Sequence, residues 1–142
     1  MGLHARPQNV GDLTVKHEII SPKSVHSTAG VGYSHVARVG DTLYIAGQVA
    51  LDRQGRLVGK GDAEAQVRQA YANLEAILKE MGGSLGNVVK FTTYLTRREH
   101  LEAFRKVRGE VLQEPYPPNT LLFIQGLANP EYLVEIEAIA VL

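Results

Sequence analysis

The last twelve residues, EYLVEIEAIAVL (131–142), constrain the fold more than any other stretch. They are rich in β-formers and almost wholly apolar, yet they carry Glu135 and Glu137. Side chains alternate across a strand. The even set, Val134, Ile136, Ala138, Ala140 and Leu142, is apolar throughout, and its alanines leave room for helix side chains. The odd set is Leu133, Glu135, Glu137, Ile139 and Val141. Three large aliphatics do not suit a plain solvent face, and two carboxylates do not suit a core. The mixture fits a subunit interface that encloses a polar pocket. The alternative is a half-exposed strand with two solvated glutamates. Along the strand the two carboxylates stand about 7 Å apart, too far to share one proton as a dyad.

The other elements follow from periodicity and punctuation. VKHEII (15–20) reads as a first strand. HVARVG and TLYIAGQV read as two more, split by the turn pair Gly40-Asp41. From Asp62 to Met81, Val67, Ala70, Tyr71, Leu74, Ile77, Leu78 and Met81 form one helical stripe. Asp62 is the N-cap, and Gly82 and Gly83 are the stop. Glu64, Gln66, Arg68, Gln69 and Lys79 form the face expected in water. NVVKFTTYLT is strand-like, and a second helix spans about His100 to Leu112, closed by the prolines that follow. Tyr116-Pro117 is a candidate cis bond. NTLLFIQGL is a further strand before the last one. The class is α+β: one mixed β-sheet with two α-helices on one face.

Bulk numbers narrow the function. The chain has 142 residues, enough for one domain, with residues 1–14 a polar arm and 15–142 the fold. Fifteen basic residues balance fifteen acidic ones, which argues against a nucleic-acid partner. The absence of cysteine removes disulfides and thiolate chemistry. The five histidines have no metal-ligand spacing, so no metal is expected. No apolar run is long enough to span a membrane, and a cytoplasmic protein is expected.

Three segments, GYSHVARVGDTLYIAGQVALD, GDAEAQVRQAYANLEAILKEMGGSLGNVVKFTTYLT and VEIEAIAVL, strongly resemble the Rid family. Its members are reactive intermediate deaminases, also called YjgF-like or liver perchloric-acid-soluble proteins. The resemblance covers about Val15 to Leu142. It implies a chorismate-mutase-like fold and a homotrimer with small-molecule clefts between subunits. It also implies cofactor-free hydrolysis of enamines and imines, such as 2-aminoacrylate, to keto acids and ammonia. Some members are described as endoribonucleases.

Carried over residue by residue, the resemblance makes Glu135 the group that orients the hydrolytic water. Tyr33 matches the tyrosine of the family's GPYS loop, with Gly32 in place of the proline. Gly47 and Gln48 match the SGQ motif, with Ala46 in place of the serine. Thr120 and the Leu121 N–H match ligand-bonding positions. The family's carboxylate-clamping arginine is Asn119 here, which cannot form a charged fork. Arg108, beside the apolar stripe of the second helix, is a candidate replacement cation; the alternative is a guanidinium at the rim paired with a nearby carboxylate. Three readings follow: an enamine/imine deaminase, a trimeric ligand-binding protein that has lost that chemistry, and, disfavoured by charge, a ribonuclease.

Overall fold

The computed structural model describes residues 16–142. The expected arm, and Val15 of the expected first strand, lie outside the described residues. The strands are β1 (Glu18–Ile20), β2 (Val36–Val39), β3 (Thr42–Gln48), β4 (Val88–Leu95), β5 (Asn119–Phe123) and β6 (Val134–Val141). The helices are α1 (Ala63–Glu80) and α2 (Leu101–Val111). All six strands join one sheet in the order β1-β2-β3-β6-β4-β5. Every neighbouring pair is antiparallel except β4 and β5, which run parallel. A parallel pair needs a crossover, and α2 lies in it. The mixed α+β architecture is the expected one, and β6 lies near the middle of the sheet, between β3 and β4.

The even side chains of β6 face the helices. Val134, Ile136, Ala138 and Ala140 are all buried, Ile136 and Ala140 completely. Opposite them α1 presents Val67, Ala70, Tyr71, Leu74, Ile77 and Leu78. Tyr71 sits edge-on to Phe91 of β4 and stacks against Phe104 of α2. Asp62 caps α1 by accepting a hydrogen bond from the Ala65 N–H at 3.1 Å. Gly82, at φ 90°, ends it in the left-handed conformation that glycine adopts at no steric cost. The carboxylate of Glu80 then accepts from the N–H groups of Lys23 and Ser24, which ties the segment after β1 to the helix.

Two expectations are corrected. Gln66 is not on a watery face: it is fully buried. Its amide donates to the carbonyls of Gly59 and Glu131 and accepts from the Leu133 N–H at 2.9 Å. A polar side chain can be buried in this way because each amide atom finds a main-chain partner. The cis bond lies at Glu114–Pro115, one proline earlier than Tyr116-Pro117.

Candidate functional site

Among the described residues, no helix covers the other face of the sheet. There Tyr44 of β3 stands beside Ile139, Thr92 of β4 beside Glu137, and Tyr94 of β4 beside Glu135. Ile19, Tyr44 and Val141, on the linked strands β1, β3 and β6, leave about half of their surface in water. Isolated exposed apolar residues are common, but a contiguous set on one open sheet face marks an interaction surface. A trough of about 530 Å³ crosses this face, lined by Tyr44, Lys90, Thr92, Glu137 and Ile139 among others. Two polar contacts fix its edges. The Tyr94 hydroxyl donates to Glu137 Oε1 at 2.9 Å, and Lys90 Nζ donates to Thr120 Oγ1 at 2.6 Å. The two glutamates of β6 thus differ in partners: Glu137 is held by Tyr94, and Glu135 is not.

Glu135 owes its setting to an irregularity in β3. Ile45 pairs with Ala138, but Gln48 pairs with Ile136, so β3 has one residue more than β6 over this interval. Such a bulge turns two consecutive residues, Ala46 and Gly47, toward one side. A Cβ on Gly47 would lie 2.6 Å from both Cγ and Cδ of Glu135, so the carboxylate arm rests on bare glycine backbone. Burial raises the Glu135 carboxyl above the ordinary carboxylate range, and the neighbouring Glu137 adds to the rise. The Tyr33 hydroxyl lies within electrostatic reach. It too is raised, first by burial and then by the negative charge of Glu135. Glu135 and Gly47 are therefore in contact, and Tyr33 lies near enough to feel the carboxylate's charge.

Gln48 does not join them. The bulge returns it to the helix side, where it is fully buried. Its amide nitrogen donates to His35 Nδ1 and to the Ala46 carbonyl, both at 3.0 Å. His35 in turn meets the His26 carbonyl through Nε2 at 2.8 Å. A carbonyl can only accept, so the proton is on Nε2 and Nδ1 is the acceptor. The His26 ring stands edge-on to His35, and its proton affinity is lowered by burial and then by His35. Gln48 thus holds a histidine pair behind Tyr33 and Glu135 rather than a ligand.

The remaining expected positions are dispersed in a single protomer. Asn119 pairs with Phe91 on the edge strand β5, level with Ala138 of β6. By strand geometry that is about 14 Å from Glu135. Its side-chain oxygen accepts from Thr93 Oγ1 at 2.9 Å. Leu121 pairs with the buried Thr93 and packs on the core, while Thr120 is exposed and bonded to Lys90. Arg108 is not with Glu135 either. Its guanidinium lies 5.2 Å from the centre of the Phe104 ring, and its charge is felt at the Tyr71 hydroxyl. The expected replacement cation is thus packed in the helix layer, because an arginine beside an apolar stripe covers the nearest ring.

Sequence reasoning overlooked Tyr94, Lys90, His26 and His35. The first two were findable: with the apolar Phe91 on the helix side of β4, alternation puts Lys90, Thr92 and Tyr94 on the open side. The histidines carried no signal, because their partners are a carbonyl and a distant glutamine. Among the described residues no three His, Asp or Glu side chains gather as metal ligands would. No helix there is long and apolar enough to cross a membrane.

Residues 24–142 match the family model described as endoribonuclease L-PSP. A RutC family protein of Pyrococcus horikoshii is 36% identical over 108 residues, covering 76% of this chain and 85% of that protein. A 2-iminobutanoate/2-iminopropanoate deaminase of Dermatophagoides farinae is 28% identical over 128 residues, covering 87% and 99%. The crystal structure of RidA from an Antarctic Psychrobacter superposes with a TM-score of 0.80 at 32% identity, covering 88% of this chain and 99% of that one.

Proposed function

We propose that this chain, which belongs to the Rid (YjgF, L-PSP) family, hydrolyses small enamine or imine intermediates to a carbonyl product and ammonia. It does so as a cytoplasmic homotrimer, in a cleft that a sister subunit completes. The supporting observation is Glu135, half-buried on the open face, seated on Gly47 and raised in proton affinity by its surroundings. A carboxylate so raised is a better base than one in water. Glu135 takes a proton from water as the oxygen attacks the imine carbon. The same carboxyl gives that proton to the imine nitrogen, which leaves a carbinolamine; it then takes the hydroxyl proton and passes it to the amine as the C–N bond breaks and the carbonyl forms, so both hydrogens of the water leave on ammonia, and an enamine enters the sequence after tautomerising to its imine. The open face supplies the apolar surface that a sister subunit would cover.

The test is ammonia release from imines generated in place by an amino-acid oxidase or dehydratase. The wild-type chain accelerates release, and Glu135→Gln lowers the rate about 100-fold or more, the usual range for loss of a general base. Equal acceleration by both would refute the mechanism.

One observation favours a second reading. Asn119 offers no charge and is already bonded to Thr93. A trimer that binds small ligands without turning them over would show ligand-dependent melting shifts and no ammonia. A ribonuclease activity, the third reading, would have to survive stringent purification and weaken with added salt.

A further inference from the structure

Three polar side chains of β4 and β6 form a diagonal on the open face. Tyr94 pairs directly with Glu135, and Thr92 pairs with Glu137. The Tyr94 hydroxyl does not stop at its direct partner. It reaches across to Glu137 and donates to Oε1 at 2.9 Å. Diagonal neighbours in an antiparallel pair are within reach of long aromatic side chains. Glu135 and Glu137 are two residues apart on β6, hence on one face of the sheet and about 7 Å apart. Tyr94 thus stands opposite one glutamate and is hydrogen-bonded to the other.

What holds Glu137 matters as much as where it is held. A phenol hydroxyl donates a hydrogen bond and brings no charge, whereas a lysine would cancel much of the carboxylate's field. The cation at hand is Lys90, which lines the same trough as Glu137. Its Nζ is turned instead to Thr120 Oγ1 on β5, at 2.6 Å, and among the described residues it makes no ion pair with Glu137. Tyr44 and His35 also line the trough, and both ring nitrogens of His35 are engaged, by Gln48 and the His26 carbonyl. Glu135 is faced by Glu137 from its own strand, by Tyr94 from β4 and by Tyr33 from the segment before β2. Burial and then Glu137 raise its proton affinity, and no cation among the described residues offsets them.

We propose that Glu137 and Tyr94 are positioning residues for the reaction at Glu135: Tyr94 pins an uncancelled negative charge beside the base and so sets the pH range in which the base works. The inference rests on the deaminase reading and deepens it. Neither residue need touch the substrate. Glu137 acts through Glu135, and Tyr94 acts through Glu137. A sister subunit over this face would exclude water and strengthen the effect, because charges interact more strongly where the dielectric is low.

The test reads Glu135 in two ways in the full chain. NMR follows the titration of its side-chain carboxyl carbon, and kinetics follow the acid limb of kcat/KM for ammonia release from imines generated in place. Without the neighbouring charge Glu135 ionises more easily, so Glu137→Gln moves both curves to lower pH. The weaker base also lowers the limiting kcat, about two- to tenfold. Tyr94→Phe, which frees Glu137 without removing it, moves both curves the same way by less. Added to Glu137→Gln it moves them no further, because the hydroxyl acts through that carboxylate. Glu75→Gln, which removes a negative charge from α1, where Glu75 pairs with Lys79, moves neither curve. An unchanged Glu135 titration in Glu137→Gln, or a full further shift from Tyr94→Phe in that background, would overturn the proposal. The outcomes are separable, because the carboxyl carbon needs no substrate. A displaced titration with no ammonia from wild type sustains the pair and sinks the deaminase reading. Ammonia release with the same acid limb in wild type and Glu137→Gln spares that reading and sinks the pair.

Discussion

The two faces of the sheet are built from the same strands and obey different rules. On the helix side every large side chain of β6 is covered and every buried amide described above is engaged, apart from one oxygen of Gln48. On the open side β6 carries two carboxylates, one held by Tyr94 and one resting on Gly47. The first face is a finished core. Among the described residues, the second has apolar surface without a cover and a carboxylate of raised proton affinity that accepts no hydrogen bond. Stability is concentrated in one and reactivity in the other, with a single strand belonging to both.

Changes at adjacent β6 positions should therefore separate fold from function. Ile136→Ala, on the helix side, should cost about 2–5 kcal/mol of unfolding free energy in urea titrations. A cost below about 1 kcal/mol would mean that the core does not close around β6. One residue away, Glu135→Gln should leave the fold intact or make it slightly firmer. The sign follows from Glu135's raised proton affinity: its contribution to stability is present below the unfolded value near 4.5 and is lost as pH rises through the higher folded value. At pH 7 the native state carries that cost, and the neutral amide removes it. A melting temperature lowered by this change would contradict the assignment.

Gly47→Ala tests how closely the two residues fit. The new methyl would meet Glu135 at 2.6 Å, so the carboxylate must swing away. Turnover should fall about tenfold or more, as displacing a catalytic group by about 1 Å can do, with little change in melting. The smallest effect belongs to the histidine pair. His26 has a lowered proton affinity, so its contribution is present above about pH 6.5 and is lost as pH falls through the lower folded value. Wild type should melt a few degrees lower at pH 5.5 than at pH 7, and His26→Asn should flatten that slope. An unchanged slope would show that another group titrates.

Much of this contrast was legible before any coordinates. The apolar even set of β6 predicts its covered face, and the stripe from Val67 to Leu78 predicts what covers it. The family resemblance singled out Glu135 and Gly47, which the fold sets in contact. Gln48 and Gln66 were misread for related reasons. A one-residue bulge reverses which face a strand residue occupies, and nothing in the string AGQ announces it. A glutamine on a helix reads as polar surface unless the loop carbonyls that receive it are known. Arg108 was placed correctly beside its stripe, but a helical wheel does not say whether the neighbouring surface is a ring or a cleft.

A closed cleft around Glu135 requires that sister chains cover the open face. Light scattering on the purified chain at micromolar concentration measures this directly. The expected mass is three times the 15.5 kDa of one chain, and Ile139→Asp, a buried charge at the junction, should reduce it to one. A wild-type mass of a single chain would contradict the account, because the face around Glu135 would then lie open to water.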